Sequence, residues 1–555
     1  MSEWLHPAAP CLLGAALVGV LPARARAVVA LAAPATALAL VWGLPAGTRL
    51  ELVLLGQPLT PLRVDALGRV FAIVFALLGA LGVLYGLATP RRRLHVAALV
   101  ATGAALGIAL SGDWFTLYVW WETLAVASFV LIADGGTPRA GRAALRYLLI
   151  HVTGGACLLA GIVWHRATGG DALMGPLPLN GPGALVLLAF AVNAAIPPVN
   201  AWLTDAYPES SPAGAVFLSA FATKAAVYAL ARVFPGEEIL VWAGVTMALY
   251  GVVFAVLEND IRRLLGYHIV SQVGYMVTGV GLGTPLALSG AAAHAFSHIL
   301  YKGLLFMGAG TVVHATGRRK LTELGGLAQA MPATCVLYMV GAFSISGAPL
   351  LNGFVSKSLV VAAAAAEHRV WVEWGLTLAS VGTFLHTGLK LPYFTFAGPD
   401  RRLRPAPVPA TMLTAMTATA ALCALYGTFP AATLYPLLPF PVAYQPYTPD
   451  HVLEAIQILV GTTVGFVWLR AKLGGEPTVT RDTDRLYRAP ARWVARRLGP
   501  AVAGAADALE ARLLALMDRP AAVPDVAVPV GYAVLLAVTI LGVALAALAV
   551  GRASP

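Results

Sequence analysis

Apolar stretches separated by short charged loops repeat along the whole chain, and their length sets the fold class. Uncharged runs close to the ~20 residues that cross a bilayer core as a helix lie at about 8–22, 27–44, 67–88, 94–111, 114–133, 144–164, 183–203, 213–233, 239–257, 265–282, 287–314, 332–364, 372–397, 408–428, 452–469 and 528–550. The pattern predicts an all-α polytopic membrane protein with about 14–16 transmembrane helices. The first run ends in Pro22-Ala23-Arg24-Ala25-Arg26-Ala27. Its two arginines crowd the small-residue site a signal peptide would need, and another apolar run follows, so it is read as a retained helix.

The basic loops give the orientation. Arg91-Arg92-Arg93, Arg139 with Arg142, Arg262-Arg263, Arg318-Arg319-Lys320, Arg401-Arg402 with Arg404, and Arg470 with Lys472 all fall on one side if each run crosses once. By the positive-inside rule that side is the cytoplasm, which puts both termini outside. Between Thr480 and Arg519, leucines and Trp493 alternate with arginines at helical spacing. This predicts an amphipathic helix along the cytoplasmic surface, in touch with lipid headgroups or neighbouring subunits.

Two runs are interrupted within the membrane, at Asn193-Ala194-Ala195-Ile196-Pro197-Pro198-Val199-Asn200 and at Ser344-Ile345-Ser346-Gly347-Ala348-Pro349-Leu350-Leu351-Asn352-Gly353. Proline removes a backbone donor and frees carbonyls, which at membrane depth is tolerated where the break lines a hydrated path. Each break falls in the fourth run of a set of five, the sets beginning near 94 and 239. An odd number of crossings makes tandem repeats opposite in topology, so the order predicts two inverted five-helix repeats with broken helices. The implied divisions are 1–90 for N-terminal transmembrane helices, 91–235 and 236–400 for the two repeats, 401–475 for C-terminal transmembrane helices, 476–525 for the surface helix and 526–555 for a final span.

Ionisable residues inside a membrane are expensive and mark function by default. Glu122 lies mid-run in Trp120-Trp121-Glu122-Thr123-Leu124, and Lys224 sits among apolar residues in Ala222-Thr223-Lys224-Ala225-Ala226. His294, His298 and Lys302 recur at i, i+4, i+8, which stacks them on one helical face at ~6 Å per step, a spacing one or two waters bridge. Histidine relays protons near neutral pH and a desolvated lysine stores them. Lys357 follows the second break by one turn. Of the chain's six lysines, Lys224, Lys302, Lys357 and Lys390 lie in or beside apolar runs, while arginine supplies most of the surface charge.

Composition agrees: 59% of the 555 residues are hydrophobic and 11% charged, with a mean hydropathy of +0.78. The net charge of +11 is spread over alternate loops and points to topology rather than nucleic acid. Cys11, Cys157, Cys335 and Cys423 stand singly, without the paired spacing of metal, haem or iron–sulfur ligands, and read as packing residues. The histidines lack the acidic companion of a zinc-protease motif. No metal, flavin, quinone or other cofactor is predicted, and no redox chemistry in this chain.

Five blocks resemble the antiporter-like membrane subunits shared by respiratory NADH dehydrogenase (complex I), membrane-bound hydrogenases and multisubunit Mrp-type cation/proton antiporters. They are Gly112-Asp113-Trp114-Phe115-Thr116 leading to Glu122, Ala201-Trp202-Leu203-Thr204-Asp205-Ala206-Tyr207-Pro208, Glu258 through Tyr267, His294 through Phe306, and Asn352-Gly353-Phe354-Val355-Ser356-Lys357. The resemblance spans about residues 90 to 400 and implies two inverted half-channels joined by a polar axis. It matches Glu122 to the family's fifth-helix glutamate and Lys224 to the eighth-helix lysine. His294, His298 and Lys302 match the eleventh-helix relay, and Lys357 the twelfth-helix terminal lysine. His268, Lys390 and Asp205 are possible relay groups, and Pro197, Pro198 and Pro349 mark the broken helices.

One departure stands out: Asn193 occupies the place of the family's seventh-helix lysine, and Asn200 that of a histidine. Asparagine cannot carry a net proton, so the first half is a hydrated passage, a sodium-handling site or a degenerate half. The wording around Asn193 to Pro208 and at Leu389-Lys390-Leu391-Pro392-Tyr393-Phe394 most resembles the D subunit of Mrp-type antiporters. That implies a multi-pass component of the cell (inner) membrane working beside a second antiporter-like subunit, with protons and Na+ as cargo. A proton-pumping component of complex I, of a hydrogenase or of an inorganic-carbon uptake complex is the alternative. A solute transporter and a non-transporting assembly protein are the rival classes.

Overall fold

The computed structural model describes residues 5–474, apart from Leu55 and Pro90, together with Asp482, Thr483, Trp493 and Arg497. The expected surface helix at 476–525, but for those four positions, and the final span at 528–550 lie outside the described residues. Nineteen α-helices are described: α1 Ala9–Val20, α2 Ala23–Gly43, α3 Ala66–Gly86, α4 Arg92–Leu110, α5 Trp114–Ala133, α6 Pro138–Ala167, α7 Gly181–Ala194, α8 Ala201–Ala206, α9 Pro212–Ala220, α10 Ala222–Val233, α11 Glu238–Leu257, α12 Ile261–Leu282, α13 Pro285–Thr316, α14 Pro332–Ser346, α15 Asn352–Ala366, α16 Val370–Thr383, α17 Ala410–Thr428, α18 Pro430–Thr433 and α19 Pro449–Leu473. Two π-helical stretches, Phe384–Lys390 and Tyr393–Ala397, continue α16. Among the described residues ten helical spans are long and apolar enough to cross a membrane. The protein is an all-α polytopic membrane protein, as its pattern predicts.

Helix starts are written in the sequence. Asp65, Asp113, Asn180, Ser211, Asp260, Thr284 and Thr448 each accept a backbone N–H of the first turn that they cap. The interior forms around α13, whose 32 residues are mostly buried and which packs on α3, α9, α12, α14, α15 and α17. Apolar and small residues on nearly every side place it in the core, and the few polar groups it carries are buried with it. The outer helices do the reverse: Trp371, Trp374 and Trp468 are exposed, as a lipid-facing surface requires.

A short hairpin, absent from the helical reading, joins α2 to α3: β1 Arg49–Leu54 pairs antiparallel with β2 Gln57–Arg63. Pro58 and Pro61 bar a helix there, and Gly56 takes the positive φ of the turn. The hairpin buttresses α5, since Thr60 N donates to Asp113 Oδ2 at 2.8 Å and Gly112 N to Thr60 O at 2.9 Å.

The described helices to Ile162, and those from Gly181 to Leu473, lie in one compact unit. A second unit holds Val163–Gly170, the end of α6 and the residues that follow it, where Gly170 N bonds His165 O at 2.9 Å and Arg166 donates to Gly170 O at 2.6 Å.

Candidate functional site

Both predicted breaks are real and share one geometry. The first follows α7: Ala195 is left-handed at φ 59°, Ile196 N reaches back to Ala191 O at 3.0 Å, and α8 begins six residues after Ala195. The second follows α14: Gly347 is left-handed at φ 78°, Ala348 N reaches Phe343 O at 3.0 Å, and α15 begins at Asn352. In both, the six-to-one bond consumes a terminal carbonyl that would otherwise be orphaned. One sequence interval separates Ala195, Pro197, Asn200 and Asp205 from Gly347, Pro349, Asn352 and Lys357.

The second half carries an extended set of buried polar groups. His294, His298 and Lys302 share a face of α13, each fully buried. His294 Nδ1 lies 3.0 Å from Ser356 Oγ on α15 and its Nε2 lies 3.4 Å from Tyr301 Oη. Tyr301 donates to Gln272 Oε1 at 3.5 Å, and Gln272 donates to Thr383 Oγ1 at 3.3 Å. Both ring nitrogens of His298 and the Lys302 Nζ are buried without a hydrogen-bond partner. His268 on α12 meets His386 of the π-helical stretch at 2.9 Å. At the second break, Ser344 Oγ donates to Asn352 Oδ1 at 2.5 Å, and Asn352 Nδ2 to Ser297 O at 3.4 Å.

Lys357 stands where this interior meets a cavity of about 370 Å³ that also exposes Tyr275, Glu373, Ser380, Asp450, His451 and Glu454. Its Nζ donates to Ser380 Oγ at 3.4 Å and sits 5.4 Å from the Tyr275 ring centroid.

The first half is differently equipped. Lys224 is fully buried and donates to Ser219 O at 2.6 Å and Thr223 Oγ1 at 3.1 Å. That carbonyl is available because the run 213–233, read as continuous, breaks at Phe221 between α9 and α10. Glu122 borders a groove of about 690 Å³ between α4 and α5, walled by apolar side chains with Arg92 and Arg93 at one end. Its Oε1 is buried without a partner, as is Oδ1 of Asn193 at the end of α7.

Two residues expected as possible relays are engaged elsewhere. Asp205 accepts both prongs of Arg146, at 2.6 and 3.0 Å. Lys390 donates to Val256 O at 2.6 Å and Glu258 O at 3.0 Å, closing the C-terminus of α11. The sequence pattern does not single out His386, Tyr301, Gln272 or Ser356. His386 had a local signal, standing one turn before Lys390, and Tyr301 stands two turns from His294 on the same helix; Gln272 and Ser356 are marked only by partners distant in sequence.

A many-helix membrane protein with broken helices and a buried ionisable axis is the class these features define. The sequence accords with it: residues 111–386 match the family described as NADH:quinone oxidoreductase/Mrp antiporter, transmembrane, and the chain belongs to that family. The D subunit of a Na(+)/H(+) antiporter of Alkalihalophilus pseudofirmus is 33% identical over 317 residues, covering 53% of this chain and 64% of the relative. The N subunit of the NADH-quinone oxidoreductase of Desulforudis audaxviator is 35% identical over 297 residues, covering 49% and 59%. A chain in the structure of the Mrp complex from a Dietzia species superimposes with a TM-score of 0.73 at 24% identity, covering 99% of this chain and 63% of that one. The chain thus spans less than two thirds of the length of these relatives.

Proposed function

We propose that this chain is the proton-translocating antiporter-like subunit of a multisubunit Mrp-type Na+/H+ antiporter in the cell (inner) membrane. The observation that carries the reading is the column His294, His298, Lys302, buried on one face of α13. Its groups lie one helical turn apart, a reach spanned by water, and it neighbours Lys357 through Ser356. Protons enter one half, pass by Lys224 and the column, and leave at Lys357 through the cavity beside Glu373 and Asp450. The likeness to the Na(+)/H(+) antiporter relative supports sodium as the counter-ion, with a second antiporter-like subunit, smaller membrane subunits and lipid as neighbours. The matching breaks support two inverted repeats.

A second reading has its own observation: the 35% identity to the N subunit of an NADH-quinone oxidoreductase favours a proton pump powered by a redox complex. In either reading a Lys302→Ala variant that assembles normally loses transport, on the order of 100-fold, as removal of a proton-transfer group does. Full transport in that variant refutes both.

A further inference from the structure

The two halves repeat one another more closely than their chemistry suggests. The same sequence interval separates Asp113 from Asp260, which cap α5 and α12, and Pro138 from Pro285, which open α6 and α13. Carried along those helices, it sets Tyr147, His151 and Gly155 of α6 against His294, His298 and Lys302 of α13. The relay column therefore has a counterpart in the first half: tyrosine, histidine, and a glycine where the lysine stands.

The glycine is filled from outside. A Cβ on Gly155 would overlap Glu122 Oε1, so the carboxyl of Glu122 occupies the space a side chain would take. His151 precedes Gly155 by one turn on the same face, ~6 Å along the axis. The ring is buried, stacked on Tyr147 at 3.8 Å and met edge-on by Trp202 at 4.4 Å. Trp202 in turn donates to Val192 O at 2.9 Å, next to Asn193. Two buried polar atoms without partners, Glu122 Oε1 and His151 Nε2, thus lie along one helix face, and a third, Asn193 Oδ1, stands at the end of α7.

The state of the imidazole follows from its one bond. His151 Nδ1 lies 2.9 Å from Tyr147 O; a carbonyl only accepts, so Nδ1 carries the hydrogen and Nε2 the lone pair. We propose that His151 is the proton-storing partner of Glu122 and supplies the positive charge that Asn193 does not. The Glu122 O–H bond breaks as the His151 Nε2–H bond forms across an intervening water, leaving carboxylate and imidazolium; the return step reverses both. Because Nδ1 faces a carbonyl, the proton leaves by the nitrogen it entered. His151 therefore stores, where His298, with both nitrogens unpartnered, can relay. The groove beside Arg92, Arg93 and Glu122 is the access to this pair.

The inference rests on the proposed transport function, and its test separates the two. In proteoliposomes holding the whole complex, His151→Gln, Asn193→Lys, the double variant and Lys302→Ala are compared. The expected result is loss of roughly tenfold or more in His151→Gln and recovery in His151→Gln/Asn193→Lys, where a lysine restores the missing cation. Wild-type transport in His151→Gln overturns the inference, as does failure of the double variant beside an active Asn193→Lys. Full transport in Lys302→Ala would instead sink the underlying function. If His151→Gln does not assemble, infrared difference spectra of the wild-type complex on acidification decide. A Glu122 carboxyl band, identified by its absence in Glu122→Gln, must change in the opposite sense to an imidazolium signal; a carboxyl band that changes alone overturns the pairing.

Discussion

The half built from α4 to α10 and the half from α11 to Lys390 use the same backbone devices for different chemistry. Each has an aspartate capping its second helix, a proline opening its third, and a fourth helix leaving through a left-handed residue. The side chains diverge within that frame. Where the second half places His294, His298 and Lys302 in its core, the first places Tyr147, His151 and Gly155, and a glutamate from the neighbouring helix fills the gap. Where the second half holds Lys357 beside a cavity, the first holds Asp205 clamped by Arg146. Helix caps and breaks are fixed by backbone hydrogen bonds, which few substitutions can replace; a proton site needs only a titratable group within reach of water, and so can move between helices.

The sharpest way to break the comparison is to close the space that distinguishes the first column. Gly155→Ala puts a methyl where Glu122 Oε1 lies, whereas the same change at Gly154 meets Val192 Cγ1 at 3.4 Å. Gly155→Ala should lower transport by up to about 100-fold, the cost of misplacing a reacting group by an ångström, and Gly154→Ala should stay near wild type. Equal effects would mean that the cradle is ordinary helix packing.

A smaller effect is expected where the halves are tied together. Arg262, at the start of α12, donates to Ser210 O at 2.8 Å, Ser211 O at 3.1 Å, Tyr207 O at 3.2 Å and Ser210 Oγ at 3.0 Å, gathering the loop before α9. Arg262→Ala leaves those buried carbonyls unpaired and should destabilise by about 2–3 kcal/mol, read as a lowered Tm of the purified complex. An unchanged Tm would show that the loop does not depend on this anchor.

The smallest effect concerns Asp65, which ties the hairpin and α3 to the first half. It accepts Arg232 at 2.6 and 2.7 Å and Gly68 N at 2.9 Å. Burial acts to raise its pKa, but the hydrogen bonds and charge of Arg232 outweigh it and hold the carboxyl below its usual 3.8. With the folded value below the unfolded one, its contribution is present above about pH 4 and is lost as the pH falls through the folded value. Asp65→Asn keeps a capping oxygen but removes this acid-sensitive contribution. Its Tm should be slightly lower at neutral pH and fall less below about pH 4; parallel curves would contradict the assignment.

Much of this was legible in the sequence. Helix runs such as 114–133 coincide with the structure because bilayer-length apolar runs are a local signal. The Pro197 and Pro349 breaks and the spacing of His294, His298 and Lys302 are equally local. What escaped was set by contacts between distant segments. The break at Phe221 carries no proline or glycine, and its freed carbonyl is taken by Lys224. The π-helical stretch that brings His386 to His268 has no signature in periodicity. The cradle at Gly155 reads as one small residue among many in α6 until Glu122 is seen lying in it.

The central claim is that protons cross through the buried column of the second half, and transport by the reconstituted complex tests it most directly. Internal pH is followed after an imposed pH gradient, with and without sodium, for wild type and Lys302→Ala in matched amounts. The account predicts sodium-dependent proton flux in the wild type and its loss in the variant. Undiminished flux through Lys302→Ala would contradict it.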